Sequence, residues 1–413
     1  MNIALSIKDN LTTSVRVFTR FHPIYSVREH CVIGIEALSR GYAGISAEEV
    51  QPEELFRRAR DNGRFTQLDR HALCTAVQSY ASLPEGSSAA PLLFLNISTE
   101  MIERGLDDIR LLNESILKAG VSPDQVVLEI IESRVENIDA LSYFVHHHRD
   151  RGFLIALDDV GAGHSNLERI SLLKPDIIKI DRSLVSGIYR GYHKQEVCKA
   201  LILLSHRIGA LTIAEGIEEK EEALTCLELG VDMLQGFYFC RPLSLAEYQD
   251  SEHLEIKDLA ETYAQRSIER KEQERLLAET HRALAGRLTE RLMAADRPDF
   301  TRILKSSLRS TRFARCAYLL DSRGHQITGT IVQKGFTKKE HRLFAPAPEG
   351  TDHSLKSYVL RRGELDTCYI TEPYISKATG ELCITASQGF RGKSGEEFIL
   401  CIDIDYGGSR DPR

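Results

Sequence analysis

The sequence predicts an α/β chain in three parts. These are an α/β barrel over residues 1–250, a helical connector over 251–296 and a smaller α+β domain over 297–406, with a disordered tail at 407–413. Three observations carry this. Short apolar runs in the first 240 residues each end in a polar or charged residue. Amphipathic stretches separate the runs, as strand–helix alternation requires. Near residue 250 the composition turns to Glu, Arg, Leu and Ala, with no proline until Pro298.

The runs are CVIGIEALSR at 31–40, LLFLNIS at 92–98, VVLEIIE at 126–132, FLIALDDVGAGHSN at 153–166, DIIKID at 176–181, LTIAEGIEE at 211–219 and DMLQGFYF at 232–239. A buried strand is expected to be apolar throughout, so an acid at its C-terminal end is costly unless it acts. A set of such residues is what a barrel places on its functional rim. Here the set is Glu36, Asn96, Glu129, Asp158, Asp159, Lys179, Glu215 and Gln235. The helical stretches are Pro52–Ser82, Gly105–Ala119, Asn137–Arg151, Tyr192–Gly209 and Glu219–Gly230.

Past residue 250, apolar residues recur at Ile256, Leu259 and Tyr263, then at Leu277, Leu284, Leu288 and Leu292. This is one long amphipathic helix or two, either packed on its own domains or paired with a second copy. In the last part, ILKSSLRSTRF reads as helix and ARCAYLLDSRGHQITGTIV as strand, turn and strand. CYITEPYISKATGELCITASQGF and EEFILCIDIDY supply further strands. Tyr369, Tyr374, Cys383 and Thr385 either line a small pocket there or form ordinary core.

Composition excludes several classes. A net charge of −7 leaves no basic footprint for nucleic acid. No apolar run approaches the roughly 20 residues of a membrane helix. The N-terminus has no basic and apolar signal-peptide pattern. Nine cysteines, an odd number without a CxxC pair, read as reduced thiols in a cytoplasmic protein.

Glu36, Asn96, Glu129 and Asp158 are hard oxygen donors, suited to Mg²⁺ or Mn²⁺ rather than zinc or copper. Adjacent Asp158 and Asp159 allow one carboxylate to bridge two ions while the other holds only the second. Two ions so placed clamp the attacking and leaving oxygens of a phosphoryl displacement. Lys179 shares a strand face with Asp181. It either holds or deprotonates an attacking water or forms a structural ion pair with Asp181. Glu129 and Glu132 can also be plain strand-end acids, and Glu215 and Glu218 can open an acidic helical turn. Gly161 and Gly163 let the backbone approach a ligand. His146, His147 and His148 point different ways on a predicted helix and are expected at the surface.

These runs resemble the EAL family of bacterial cyclic di-GMP phosphodiesterases. The name-giving triplet is Glu36-Ala37-Leu38, followed by Ser39-Arg40. LNIS, LEIIES, ALDDVGAGHSNL, KPDIIKID, AEGIE and LGVDMLQGFYFCRPL match its further motifs in order, over about residues 18–245. The resemblance implies a variant TIM-type (β/α)8 barrel. Glu36, Asn96, Glu129 and Asp158 would bind one Mg²⁺ or Mn²⁺. Asp158 and Asp159 would bind a second, with Glu215 and Gln235 close by. Lys179 would activate water, with Glu36 and Glu215 completing the catalytic group. Arg40 would contact a substrate phosphate, and Leu38, Asp181, Gln235 and Pro242 would line the substrate site. Glu132, Gly161 and Gly163 would support the loop after Asp159, and Glu218 the Glu215 side. The reaction implied opens cyclic di-GMP to linear pGpG.

Val160, Ala162 and His164 depart from the family's Phe, Thr and Tyr, which puts the rate and the second ion in question. His22 replaces a common Gln. Residues 297–405 are similar to the PAS/Cache-like C-terminal domain of some EAL proteins, which implies a regulatory role, an unknown small ligand and a homodimer. Two alternatives stand beside the enzyme: a cyclic di-GMP receptor that hydrolyses poorly, and a non-enzymatic scaffold.

Overall fold

Eight strands close into a ring in the first 266 residues of the structure, a computed structural model. It describes residues 15–43, 48–83, 90–104, 106–131, 135–163, 167–251, 255–335, 343–361, 365 and 367–406. The strands of this unit are β1 (Val15–Ser26), β2 (Cys31–Ala43), β3 (Glu48–Val50), β4 (Leu92–Ile97), β5 (Val126–Ile130), β6 (Leu154–Val160), β7 (Ile177–Ile180), β8 (Leu211–Ala214) and β9 (Met233–Leu234). Neighbours run β1-β9-β8-β7-β6-β5-β4-β2, and β2 pairs back to β1 to close the barrel. The short β3 adds to the outer end of β2.

Among the described residues of this unit, six helices fall on the predicted amphipathic stretches and four short ones lie outside them. They are α1 (Pro52–Asp61), α2 (Phe65–Ala81), α3 (Thr99–Arg104), α4 (Leu106–Lys118), α5 (Ile138–Arg149), α6 (Leu167–Leu173), α7 (Arg182–Val185), α8 (Tyr192–Arg207), α9 (Lys220–Leu229) and α10 (Leu245–Gln249). Pro52–Ser82 divides into α1 and α2 at Asn62-Gly63-Arg64, where Gly63 takes φ +64. α9 ends on Gly230 in the left-handed conformation, which suits a residue without Cβ.

β1 departs from the expected pattern. It is a twelve-residue strand antiparallel to both neighbours, while the other ring pairs are parallel. The cause is local. Only the turn at Val27–His30 joins β1 to β2, and so short a link makes a hairpin.

The barrel interior is built in layers. One layer is Ile24, Phe94, Val127, Ala156, Ile177, Ile213 and Met233, an apolar plug. β2 places Gly34 at this level, because the Phe94 ring occupies the space. A Cβ on Gly34 would lie 2.3 Å from Phe94 Cε2. Side chains two residues further along face the same way. From the parallel strands these are Asn96, Glu129, Asp158, Lys179, Glu215 and Gln235, and from β2 Glu36. β1 runs the other way and supplies His22.

α5 corrects one expectation. His146 is exposed, but His148 is fully buried against Phe144 and Phe153, with Nδ1 2.9 Å from the Phe144 carbonyl. Two steps of about 100° each carry the third histidine round to the core face.

The connector is one 39-residue helix, α11 (Glu255–Met293). Its Ile256 and Leu259 are buried with barrel residues. Leu284, Ala285, Leu288 and Leu292 are buried in the second unit, residues 267–413. That unit continues with α12 (Phe300–Ser310), β10 (Ala314–Asp321), β11 (Ile331–Val332), α13 (Ser357–Leu360), β12 (Cys368–Ile370), β13 (Tyr374–Ile375), β14 (Leu382–Arg391) and β15 (Glu397–Asp405). Its antiparallel sheet runs β11-β10-β15-β14-β12, with β13 on β14. One face packs on α11 and α12 through Leu319, Ile384, Phe390 and Leu400. The other is buried and partly polar. Asp403 there accepts hydrogen bonds from Thr385 (2.8 Å), Ser376 (2.7 Å) and Tyr374 (3.3 Å).

All nine cysteines are free thiols. Among the described residues no helix is long and apolar enough to cross a membrane. The tail at 407–413 lies outside the described residues.

The plug yields a test. Gly34→Ala should lower stability by about 1–3 kcal/mol, the usual cost of overpacking, because Phe94 is fully buried and has no room to yield. Adding Phe94→Leu should recover part of the loss. Urea unfolding of both variants checks this, and an unchanged single variant would contradict the layering.

Candidate active site

The polar layer above the plug converges on Lys179. This side chain is 1% exposed, and its Nζ lies 2.5 Å from Glu215, 2.6 Å from Glu129, 3.3 Å from Asp158 and 3.9 Å from Glu36. The Lys179–Asp181 ion pair, the structural alternative, does not form. Asp181 instead caps α7 by accepting the Ser183 N–H at 2.9 Å.

Glu36 is held from two sides. Asn96 Nδ2 donates to one of its oxygens at 2.8 Å and Gln235 Nε2 to the other, also at 2.8 Å. Gln235 also reaches the His22 carbonyl at 3.4 Å. His22 stands opposite Glu36 in the β1–β2 register and is 9% exposed, with no hydrogen-bond partner on Nε2. Sequence reasoning marks His22 only as a replacement. Its place in the polar layer is legible once β1 is read backwards.

Asp158 and Asp159 should point to opposite faces in a regular strand. They do not, because the β6–β7 register shifts between Leu157 and Val160 and Asp159 takes φ 57. A bulge of this kind re-aims a side chain. As a result, carboxylate oxygens of Asp158, Asp159 and Glu215 lie within 4.8 Å of one another, the only such acidic group found among the described residues.

The electrostatics follow from burial and crowding. Burial alone would lower the Lys179 amine, but Asp158, Glu129, Glu215 and Glu36 outweigh it and hold the proton well above the ordinary range. Lys179 is therefore an ammonium. Burial pushes Glu129 well up, aided by Glu36 and Asp158 against Lys179. Burial likewise raises Glu215 to about 8, with Lys179 opposing and Asp158 and Glu36 adding. Glu36 goes the other way. Burial works against its charge, but Lys179, Asn96, His22 and Gln235 hold its carboxyl below the usual range.

A metal fits this donor set. Neither oxygen of Glu129 receives an aligned hydrogen bond, nor does Asp158 Oδ1, although Lys179 lies within ion-pair distance of both residues. The donors are oxygens throughout, as Mg²⁺ and Mn²⁺ prefer.

The other predicted residues lie outside this cluster. Leu38 lines a cleft of about 850 Å³ that also takes in Glu36, Asn96, Phe56, Phe65 and Asp69. Arg40 lies further out, its Nη1 donating to the Ser39 carbonyl at 3.0 Å. Pro242 is half-buried beside Leu243, which exchanges backbone hydrogen bonds with Phe21. Gly161 has φ +103, and a Cβ there would lie 2.2 Å from Leu184. Gly163 is exposed with open space around it. Glu218 pairs with Arg182 at 2.9 Å, away from Lys179. Val160 is buried core, and Ala162 closes a turn by donating its N–H to the Asp159 carbonyl at 3.1 Å. Glu132 and His164 lie outside the described residues. The cleft wall from α1 and α2, including Asp69 hydrogen-bonded by Ser98 at 2.5 Å, escapes sequence reasoning. Its signal is a lone acid inside an apolar helix pattern.

Residues 6–242, more than half of the chain, match the EAL domain family. The chain belongs to that family. It is 26% identical over 417 residues to the uncharacterized EAL-domain containing protein YkuI of Bacillus subtilis (strain 168), with 96% of each chain covered. It is 26% identical over 233 residues to the cyclic di-GMP phosphodiesterase NbdA of Pseudomonas aeruginosa, covering 56% of this chain and 29% of NbdA. The crystal structure of B. subtilis YkuI with substrate c-di-GMP and calcium superposes with a TM-score of 0.77 at 23% identity, over 95% of this chain and 96% of YkuI. At that identity the likeness speaks for the fold. The manganese/cy-diGMP complex of Klebsiella pneumoniae BlrP1 gives a TM-score of 0.50 at 28% identity, over 56% of this chain and 58% of BlrP1.

The EAL triplet thus sits on β2, with Glu36 in the polar layer and Leu38 on the cleft. The crowding of acids there makes stability depend on pH. A carboxyl raised from 4.5 to about 8, as at Glu215, contributes stability that is complete below its unfolded value and lost as pH rises through 8. Glu129 adds in the same direction. Buried His148, lowered to about 4, acts oppositely but only below its ordinary 6.5, and Lys179 releases its proton only above 10.5. The ion-free EAL barrel should therefore lose thermal stability between about pH 6.5 and 8.5. Saturating Mg²⁺ or Mn²⁺ should flatten the slope by neutralising the same acids. Thermal melts in chelator and in metal check this, and equal slopes would contradict it.

Proposed function

We propose that this EAL protein is a phosphodiesterase that hydrolyses cyclic di-GMP to linear pGpG. The observation that carries the reading is the convergence of Asp158, Asp159 and Glu215 beside Lys179. Its likeness to NbdA, a cyclic di-GMP phosphodiesterase, and to BlrP1, which binds the nucleotide together with manganese, supports it.

Two divalent cations, Mg²⁺ or Mn²⁺, held by Glu36, Asn96, Glu129, Asp158, Asp159 and Glu215 with Gln235, would acidify a water and neutralise phosphate charge. The chain's own residues do the rest. A water oxygen forms the new bond to phosphorus as one bond to a ribose oxygen breaks; the water gives a proton to solvent and the leaving ribose oxygen takes one up from solvent. Lys179, an ammonium, holds and orients the water rather than taking its proton. Its positive charge also favours the charge that builds on the phosphate. Arg40 meets a phosphate, and Leu38, Asp181, Gln235 and Pro242 border the nucleotide. Gly161 and Gly163 shape the loop after Asp159, and Glu132 and Glu218 steady its surroundings.

The proposed division is a barrel at 1–250, a connector at 251–296 and a PAS/Cache-like regulatory domain at 297–406. The protein would act as a cytoplasmic homodimer answering a small ligand. The partly polar buried face around Asp403 supports a role for this domain beyond packing.

The direct test is incubation of the full chain with cyclic di-GMP and Mn²⁺, followed by chromatography for pGpG. Product that disappears on chelation supports the proposal. Binding without product would favour the receptor alternative, and neither would favour the scaffold. Glu36→Ala should abolish turnover. Lys179→Ala should lower kcat by about a hundredfold or more while nucleotide binding persists. A Lys179→Ala protein as fast as the parent would remove the assigned role.

A further inference from the structure

The outer end of the β1–β2 ribbon carries a row of charges of which the scheme above uses only Arg40. Facing pairs along the ribbon are His22 with Glu36, Arg20 with Leu38 and Phe18 with Arg40. Alternation therefore carries the face that bears Glu36 outward, through Leu38, to Arg40. On the edge beyond, β3 places Glu49 opposite Tyr42, two residues past Arg40 and on the same face.

Glu49 bridges two guanidinium groups. One oxygen lies 3.4 Å from Arg40 Nε and the other 3.2 Å from Arg20 Nη2. Arg20 Nη1 reaches Glu247 at 3.2 Å. Arg40 is the most sheltered of the four, with its side chain 12% exposed against 25% for Arg20, 30% for Glu49 and 57% for Glu247. Glu49 engages its Nε, and the Ser39 carbonyl takes Nη1 at 3.0 Å. A guanidinium has five N–H donors in a rigid fork, so fixing it at two points sets the direction of the rest. Arg20 shares the Glu49 charge, which leaves Arg40 cationic toward a ligand.

We infer that Glu49 is a positioning residue, which holds the Arg40 guanidinium in the orientation that receives a phosphate of the substrate. The inference rests on the cyclic di-GMP reading above, in which Arg40 meets that phosphate. A long side chain loses rotamer freedom when it grips a ligand, and holding it beforehand removes part of that cost. An ordinary surface ion pair, by contrast, has little effect.

The test uses the full chain and measures cyclic di-GMP binding by calorimetry with Ca²⁺, which prefers longer bonds than the site's chemistry needs and should slow turnover. Glu49→Ala should weaken binding by about fivefold or more. In an Arg40→Ala background the same change should have no further effect, because Glu49 acts only through Arg40. Glu49→Gln, which keeps the size and one acceptor, should fall between wild type and Glu49→Ala. With Mn²⁺, KM should rise while kcat stays within about twofold. Thermal melts of each variant identify any that misfold, and Glu49→Gln carries the test if Glu49→Ala does. Equal weakening in both backgrounds would show a merely structural part and overturn the inference. Unchanged binding, or tighter binding because Glu49 competes with the phosphate, would overturn it as well. A wild-type chain that binds no cyclic di-GMP would remove both the inference and the reading beneath it.

Discussion

One ammonium among four acids is the constraint on which the barrel mouth depends. Lys179 is almost wholly buried and reaches Glu215, Glu129, Asp158 and Glu36 within 3.9 Å. A lysine so buried, without partners, would be neutral, and the acids without it would be repelled from one another. Each half therefore offsets part of the cost of burying the other. The cluster forms only if β2, β5, β6, β7 and β8 arrive at one level together, and ring closure provides that. The apolar plug below fixes the height, since each polar residue follows a plug position by two. Gly34 shows how tightly the level is set: one strand gives up its side chain so that Phe94 can fill the centre.

The same constraint explains the irregularities. A regular β6 would send Asp159 outward. The register shift and the left-handed Asp159 bring it back to Asp158 and Glu215. Such a backbone is costly for a residue with a Cβ and persists only where surroundings enforce it. Gly161 follows, where a side chain would strike Leu184. The turn after β6 is therefore shaped by two needs, aiming a second carboxylate and then clearing α7.

Much of this is legible in the sequence, and what escapes has a common cause. Asn96, Glu129, Asp158, Lys179, Glu215 and Gln235 stand out because each interrupts an apolar run at the same strand level. β1 is not among those runs, since Arg16, Thr19, Arg20 and His22 break its apolar pattern and it lies antiparallel. With β1 unread, His22 cannot be placed opposite Glu36. His148 is misplaced because residues that point different ways, about 100° apart, are all expected at the surface, whereas one of those directions meets the core. The Lys179–Asp181 alternative uses strand alternation correctly, but Asp181 is already turning into α7, where its carboxylate meets a backbone N–H instead. Glu49 has no sequence signal, because its partners come from β1 and β2 through register. In the second unit, sequence brings Tyr374 and Thr385 together as a pocket or a core. Their shared partner, the buried Asp403, lies in a separate run that gives no sign of the contact.

A single ammonium faces four carboxylates, with Asp159 at their edge. The imbalance falls unevenly. Glu36, with two amide donors and Lys179, keeps its charge, while Glu129 and Glu215 are driven toward the neutral acid. A purely structural ion-pair network would be expected to balance, because burying surplus like charge raises the energy of the fold. Here the surplus sits where, among the described residues, the carboxylate oxygens of Asp158, Asp159 and Glu215 converge, beside Glu36 on the cleft. The fold accepts this local instability because layer, plug and ring hold the acids together regardless. The instability is also what gives an arriving cation its affinity: the residues that strain the ion-free barrel are the same ones that would bind the metal.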